Sequence, residues 1–316
     1  MTDTSSGFGV LAPEPVPQWA RRVGLVSDAR GERRLAAMRL EVLAGGALPQ
    51  GSAEDVALTA QWAAFICWVD DHIDRGGLAL SVKAVEEFLA PLRHVLDAGG
   101  SGSGGVSVYA GVLAGLWERT AAGMPDDWRT RFTAEYADFL DATVQEVALR
   151  RAGIRLSVAR YVRLRRRTIT LLPMLNVLER TGHTVLVEVP AVAVRVRELR
   201  WAVADVAGWA NDLASGADDE VAGQDNLVAA IARESACSPA EARARVMAMI
   251  EDRRAGFRAT AAELRSACGS LAQGSELCRY VDLVETFMSA TLEWLARTGR
   301  FALDTAPAGP FPMPTP

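Results

Sequence analysis

Lysine is all but missing from this chain: of its 34 basic residues only Lys83 is not arginine. Anion binding therefore falls to the planar guanidinium, which grips phosphate and carboxylate at two points. The base composition of a gene can produce the same bias. Histidine is also scarce, with His72, His94 and His183 scattered along the chain, so a histidine-built metal centre is not expected. The four cysteines, Cys67, Cys237, Cys268 and Cys278, form no CxxC pair and match no zinc spacing. Three of them sit in apolar helical contexts and read as buried thiols. No apolar run reaches the ~18 residues needed to span a bilayer. The opening MTDTSSGFGVLAPEPVPQWA has no charged segment followed by an apolar core, so it does not read as a signal peptide. The net charge of −5 argues against a general nucleic-acid binder. A cytoplasmic protein with no nucleic-acid partner and no membrane span is expected.

Strand signals are missing too. There is no sustained alternation, no hairpin signal and no internal repeat. What remains is helical almost throughout, in 316 residues that are 50% hydrophobic and 23% charged, enough for one large domain. Residues 1–17 and the tail APAGPFPMPTP, residues 306–316, are Pro-rich and expected to be flexible, which leaves a folded domain over 18–305. One helix is expected from about Glu32 to the glycines that follow Ala44. Another begins after Ser52, where Asp55 supports a cap. A long one starts near Asp126, and another follows Ser157 with a kink at Pro173. Several helices are apolar over more than one stripe, as in a large all-α bundle with a buried inner layer.

Two polar patches interrupt this apolar pattern. The first is FICWVDDHID, in which a greasy helix ends in Asp70, Asp71 and Asp74. Asp70 and Asp74 are four residues apart and share a helix face. The C-terminal end of a helix disfavours anions, and buried like charges need a counter-charge. All-oxygen ligands point to Mg²⁺ or Mn²⁺. A solvated acidic helix end is the plain alternative. The second patch is NDLASGADDE, where Asn211, Ser215 and Asp219 fall on one helix face. An amide, a hydroxyl and a carboxylate there make a plausible Mg²⁺ site. Upstream on that face Ala204, Ala207 and Gly208 are small and leave room.

Together the two patches resemble the paired metal motifs of bacterial class I terpene synthases (terpene cyclases), DDxxD and the downstream N-D-x-x-S-x-x-x-E. ARYVRLRRRT is similar to that family's segment with a diphosphate-sensing arginine, which would be Arg165, 46 residues before Asn211. LEWLARTGRF is similar to its C-terminal W-x-x-x-T-x-R-Y element, placing Trp294 and Arg300. VQEVALRRAGIRLSVARY also resembles the family's stretch before the sensor, and the likeness spans roughly residues 19–301. Two positions depart from the pattern. Asp219 stands where the family usually has Glu, and Glu220, adjacent but turned about 100° away, could replace it if the helix unwinds. Phe301 replaces the usual Tyr.

The resemblance implies a class I terpenoid synthase-like helical bundle around a central active-site cavity, three Mg²⁺ ions and a prenyl diphosphate substrate. Asp70 and Asp74 would hold metal, as would Asn211, Ser215 and Asp219. Arg165 and Arg300 would bind diphosphate. Asp71, Arg166 and Glu220 are second-rank candidates. Departure of the diphosphate leaves an allylic cation, which needs a dry pocket and can be stabilised by aromatic faces. Trp62, Phe65, Phe139 and Trp294 are candidates, with Trp209 and Phe287 weaker. Ala63, Ile66, Cys67, Gly208 and Phe301 complete the expected pocket. Farnesyl diphosphate is the favoured substrate and geranylgeranyl diphosphate the next, the latter because Ala63, Ile66 and Cys67 are small. A chain-elongating prenyl transferase, a non-catalytic prenyl-diphosphate-binding protein and a homodimer are also to be considered.

Overall fold

The computed structural model describes residues 14–75, 77–100, 107–186 and 190–301. Among these residues there are thirteen α-helices and no strand, and the all-α expectation holds. The helices are α1 (Val16–Arg22), α2 (Ala29–Met38), α3 (Leu40–Ala47), α4 (Ala53–Arg75), α5 (Val82–Asp97), α6 (Val108–Ala121) and α7 (Asp126–Arg151). They continue as α8 (Val158–Thr168), α9 (Leu171–Thr181), α10 (Ala193–Ala222), α11 (Leu227–Ser235), α12 (Pro239–Cys268) and α13 (Gly274–Arg297). No helix of the described residues is long and apolar enough to cross a membrane.

The inner layer is α4 and α10. Along α4 Ala60, Trp62, Ala64 and Phe65 are sealed from solvent, and along α10 so are Leu199, Val203, Ala204 and Val206. Helix α4 packs against α3, α6 and α9, while α10 packs against α8, α9, α12 and α13. Both inner helices end in their polar motifs, which places those motifs at one end of a greasy bundle. At the start of α4 the Ser52 hydroxyl accepts from the Asp55 amide at 3.1 Å, the cap read from the sequence.

Four expectations are corrected. The chain is already helical at Val16, which is buried, so the flexible N-terminal segment does not extend to residue 17. Residues 1–13 and 306–316 lie outside the described residues. The expected helix over residues 32–44 is two helices, because Arg39 stands at φ 55° between α2 and α3. The helix expected to kink at Pro173 is likewise two. The break precedes the proline, with Thr170 at φ 63° and Pro173 in the first turn of α9. The proline ring would clash with the carbonyl four residues back, at Ile169, and has no N–H to offer it, so α8 cannot run through. Finally, Cys268 and Cys278 form a disulfide joining α12 to α13; Cys67 is a buried thiol and Cys237 a half-buried one.

Far from the polar motifs, a charged network crosses the core. The guanidinium of Arg200, on α10, donates to Glu135 of α7 at 2.7 Å and to the Tyr280 hydroxyl of α13 at 2.7 Å. It also reaches Glu179 of α9, itself paired with Arg131. Asn176 bridges Glu135 and Arg131. Burial pushes the Glu179 carboxyl above its ordinary range, and Arg131 and Arg200 oppose that push. Removing one member strands the others as unpaired buried charges. Arg200→Met is expected to cost about 3–5 kcal/mol in urea unfolding, whereas Arg195→Met, at an exposed pair with Glu263, should change stability by less than about 1 kcal/mol. Equal effects in the two variants would contradict this account.

Candidate active site

The last turns of α4 present three carboxylates to three arginines from three other elements. Asp70 is half exposed and accepts from Arg300 at 2.6 Å. Asp71 turns inward, where Nε and an Nη of Arg34, on α2, donate to its Oδ2 at 2.8 and 2.6 Å. Its other oxygen is 3.4 Å from Arg300. Asp74 accepts from Arg150, at the end of α7, at 3.2 Å. Burial, and the nearby Asp70, push the Asp74 carboxyl up to about 6. Burial also raises the Cys67 thiol to about 11, so it is a neutral neighbour of Arg300, whose Nη1 lies 3.4 Å from its sulfur.

The second motif stays helical through Glu220, because α10 continues to Ala222. Asp219 thus remains on the face of Asn211 and Ser215: its Oδ2 accepts from the Ser215 hydroxyl at 2.7 Å and from the Asn226 amide at 3.2 Å. Glu220 is exposed. The unwinding that would exchange the two acids does not occur. Arg165 reaches across from α8, donating to Asn211 Oδ1 at 2.7 Å and to Asp212 at 2.9 Å. Asp212 also accepts from the Tyr161 hydroxyl at 2.8 Å and the Leu227 amide at 3.0 Å. Burial works against the Arg165 charge, but Asp212, Tyr161 and Glu146 outweigh it and hold its pKa above the ordinary value. The crossing is close at Gly208, where a Cβ would stand 3.3 Å from Arg165 Cγ. The room expected above Gly208 is filled by the Arg165 stem.

The two motifs face one another. The Gln224 side chain lies near Asp74 and lowers its carboxyl pKa, and the Gln224 amide donates to the Asp219 carbonyl at 2.8 Å. Between them, on α7, lies Glu146, whose carboxyl burial lifts to about 7 while Arg165 and Arg150 pull it down and Asp74 and Asp70 push it up. It lines a small cavity of about 30 Å³ with Arg150, Tyr161 and Gln224, enough for about one water. Glu146, Arg150, Asp212, Arg34 and Gln224 were missed as site residues. Position alone could have flagged Asp212, beside Asn211, and Glu146 with Arg150, which lie inside the stretch before the sensor. Nothing in the sequence marks Arg34.

Several expected pocket and shell residues sit elsewhere. Trp62 and Phe65 have no accessible surface. Trp62 is walled in by Phe65, Phe132 and Tyr136 and donates to Thr120 at 2.8 Å, so both are core residues rather than pocket walls. Trp294 is fastened to the Met38 carbonyl at 2.6 Å. Arg166 forks onto Asp205 at 2.8 Å and lies over the Trp201 ring, away from Asn211. Phe139 packs edge-on against Tyr136 and is nearly buried. Trp209 and Phe287 are likewise buried. Ala63 and Cys67 keep a little accessible surface and Ile66 more, along the α4 approach to Asp70. Phe301 lies beside the Arg300 guanidinium, 5.7 Å from its ring centre.

The donor set at Asn211, Ser215, Asp219, Asp70 and Asp74 is all oxygen, and burial opposes ionisation of Asp74 and Asp219. A hard divalent cation supplies the charge such carboxylates lack, so the residues fit one. Among the described residues no group of three or more His, Cys, Asp and Glu side chains converges as a ready-made metal cage; the guanidinium groups stand against the acids instead.

A single helical bundle carrying these two facing motifs defines a class I terpenoid synthase. Residues 61–255 match the family described as terpene synthase family 2, C-terminal metal binding. The chain is 31% identical over 301 residues to the (−)-β-caryophyllene synthase ((2E,6E)-farnesyl diphosphate cyclizing) of Saccharothrix espanaensis, across 93% of this chain and 85% of that one. It is 29% identical to the pristinol synthase of Streptomyces pristinaespiralis, across 90% and 78% of the two chains. The structure of linalool/nerolidol synthase from Streptomyces clavuligerus in complex with 2-fluorogeranyl diphosphate superposes with a TM-score of 0.79 at 26% identity, covering 89% of this chain and 96% of that one. The chain belongs to the bacterial terpene synthase family. It is an enzyme of the lyase class, and the family is one that uses divalent metal.

The raised carboxyls give a pH dependence. Asp74 and Asp219 at about 6 and Glu146 at about 7 all lie above their ordinary values, so the metal-free folded chain holds protons more tightly than the unfolded chain. Their contribution to stability is therefore greatest near pH 4 and falls as pH rises through about 7. In urea titrations of metal-free protein, Asp74→Asn should gain on the wild type as pH is raised from 5 to 8. A pH-independent difference would mean that this carboxyl is not raised.

Proposed function

We propose that this protein is a cytoplasmic terpene cyclase that ionises a linear prenyl diphosphate, farnesyl diphosphate first, and closes the allylic cation to a sesquiterpene with release of diphosphate. The observation that carries the reading is that DDHID and NDLASGAD end at one side of the bundle around Glu146, with Arg150 and Arg300 paired to the first motif and Arg165 to the second. Two relatives favour the substrate class: the Saccharothrix enzyme is described as cyclising farnesyl diphosphate, and the Streptomyces clavuligerus structure holds a fluorinated geranyl diphosphate.

In this reading Asp70 and Asp74 hold metal from one wall, and Asn211, Ser215 and Asp219 from the other. Three Mg²⁺ ions are expected, with Mn²⁺ as a substitute; bound there, they draw electron density from the leaving diphosphate. Arg165 and Arg300 each already contact a proposed ligand, Asn211 and Asp70. Were Asn211 and Asp70 to hold metal, Arg165 and Arg300 would be left free to donate to diphosphate oxygens, with Arg165 still anchored on Asp212. Asp71 stays with Arg34 as a support. Arg166, committed to Asp205, and Glu220, exposed, are left out of the site. Ala63, Ile66, Cys67 and Phe301 line the approach below the diphosphate, and their small size on α4 keeps geranylgeranyl diphosphate as the second substrate.

Purified protein incubated with Mg²⁺ and geranyl, farnesyl or geranylgeranyl diphosphate should release diphosphate and a volatile C15 product from the farnesyl substrate. Asp70→Ala and Asn211→Ala should each lower turnover by about 10²-fold or more with helicity unchanged. A longer prenyl diphosphate as product, or binding without turnover, would displace the cyclase reading. Gly208→Ala provides a second test. Its methyl must push the Arg165 stem aside, so kcat/KM should fall about tenfold or more; unchanged kinetics would mean that Arg165 is not held in a productive pose by this crossing.

A further inference from the structure

The break between α2 and α3 redirects the chain so that α3 packs on α4 and α13, and it holds a non-glycine residue, Arg39, at φ 55°. It also leaves two consecutive carbonyls, those of Ala37 and Met38, free at the end of α2. Three donors from the other end of the chain meet them. The Trp294 indole N–H donates to the Met38 carbonyl at 2.6 Å, and the Thr298 hydroxyl donates to the same oxygen at 3.1 Å. The Gly299 amide donates to the Ala37 carbonyl at 2.9 Å. The approach at Gly299 is close enough that a Cβ there would stand 3.0 Å from the Ala37 oxygen. One residue later is Arg300, on Asp70 and Asp71. One turn before Met38 is Arg34, on Asp71. The same short helix thus fixes Asp71 from one side and fixes the strap that carries Arg300 from the other.

We propose that the α2–α3 break is a docking seat for the C-terminal strap, and that Trp294, Thr298 and Gly299 are positioning residues that aim Arg300 at the diphosphate. The proposal rests on the reading of Arg300 as a diphosphate ligand. Trp294 on this account acts through its N–H and not through its ring face. Thr298 needs its hydroxyl, and its methyl is dispensable. Gly299 suits this seat because a Cβ there would crowd the Ala37 oxygen that its amide reaches. The left-handed Arg39 is retained because continuing α2 into α3 would consume the carbonyls that the strap needs. Long, flexible side chains such as arginine hold a geometry poorly by themselves, so a seat fixed within one residue of Arg300 reduces the freedom lost on binding.

The test uses full-length Trp294→Phe, Thr298→Val, Thr298→Ser and Arg300→Gln, with circular dichroism as a check on folding. Two quantities are read: amide hydrogen exchange at residues 298–300 in the free protein, and calorimetric affinity for inorganic diphosphate with Mg²⁺. In Trp294→Phe and Thr298→Val the exchange should quicken about threefold to tenfold and diphosphate affinity should fall by a similar factor, the scale of one net hydrogen bond. Thr298→Ser should stay near wild type in both, because it keeps the hydroxyl. Unchanged exchange in both Trp294→Phe and Thr298→Val, or a Thr298→Ser protein as impaired as Thr298→Val, overturns the seat. Faster exchange with unchanged affinity, together with an Arg300→Gln protein that binds diphosphate like wild type, overturns the role given to Arg300 while leaving the docking itself demonstrated.

Discussion

Carboxylates cannot be gathered at the end of a greasy bundle unless positive charge arrives with them, and most of this architecture follows from that requirement. Asp70, Asp71 and Asp74 come from α4 because its inner stretch is too apolar to stop anywhere but at the bundle end. Their partners come from α2, from α7 and from the C-terminal strap. Asp212, nearly sealed from solvent, is tied to Arg165 of α8. Each guanidinium therefore staples one outer element to an inner helix, and the placement of the outer helices is in part an electrostatic result. Hydrophobic burial holds the bundle together, while the pairing decides which helix ends meet.

The two breaks in expected helices serve this same end of the molecule. The α8–α9 break lets Arg165, in the last turn of α8, lie across Gly208 while α9 sets off toward Glu179 and the far network. The α2–α3 break exposes the carbonyls on which the strap sits. Each places a non-glycine residue in the left-handed region, a local cost of roughly 1–2 kcal/mol. A cost of that kind persists where surrounding contacts over-determine the conformation, and at Arg39 the contacts that do so are visible.

The helical class, the inner layer and both metal-type motifs were legible in the sequence because they depend on periodicity and on spacing within one helix. Asn211, Ser215 and Asp219 share a face at any tertiary arrangement so long as the helix continues, and it does. The aromatic readings fared worse, since helical spacing says which residues share a face and not which of two apolar spaces that face meets. Trp62 and Phe65 met the aromatic core of α6 and α7. Arg166 and Arg165 are adjacent and chemically identical, yet the turn of the helix gives one to Asp205 and the other to Asp212. Arg34 lay beyond reach for a different reason. Its partner Asp71 is 37 residues away, and one basic residue among many on a polar helix carries no local sign of the contact it makes.

The near-absence of lysine now has a structural use, whatever its origin. Arg34 grips one oxygen of Asp71 with two nitrogens, Arg166 forks onto both oxygens of Asp205, and Arg165 divides its donors between Asp212 and Asn211. An ammonium gathers its three donors on one rotatable atom, whereas the planar fork presents donors from separate nitrogens in fixed directions. The difference matters most at Arg165. There Nε is held by the buried Asp212 while Nη2 donates to Asn211, so the two contacts are made from different nitrogens of one side chain. The chain thus keeps guanidinium charge beside the acids of both motifs, and at Arg165 that charge is anchored on a buried carboxylate.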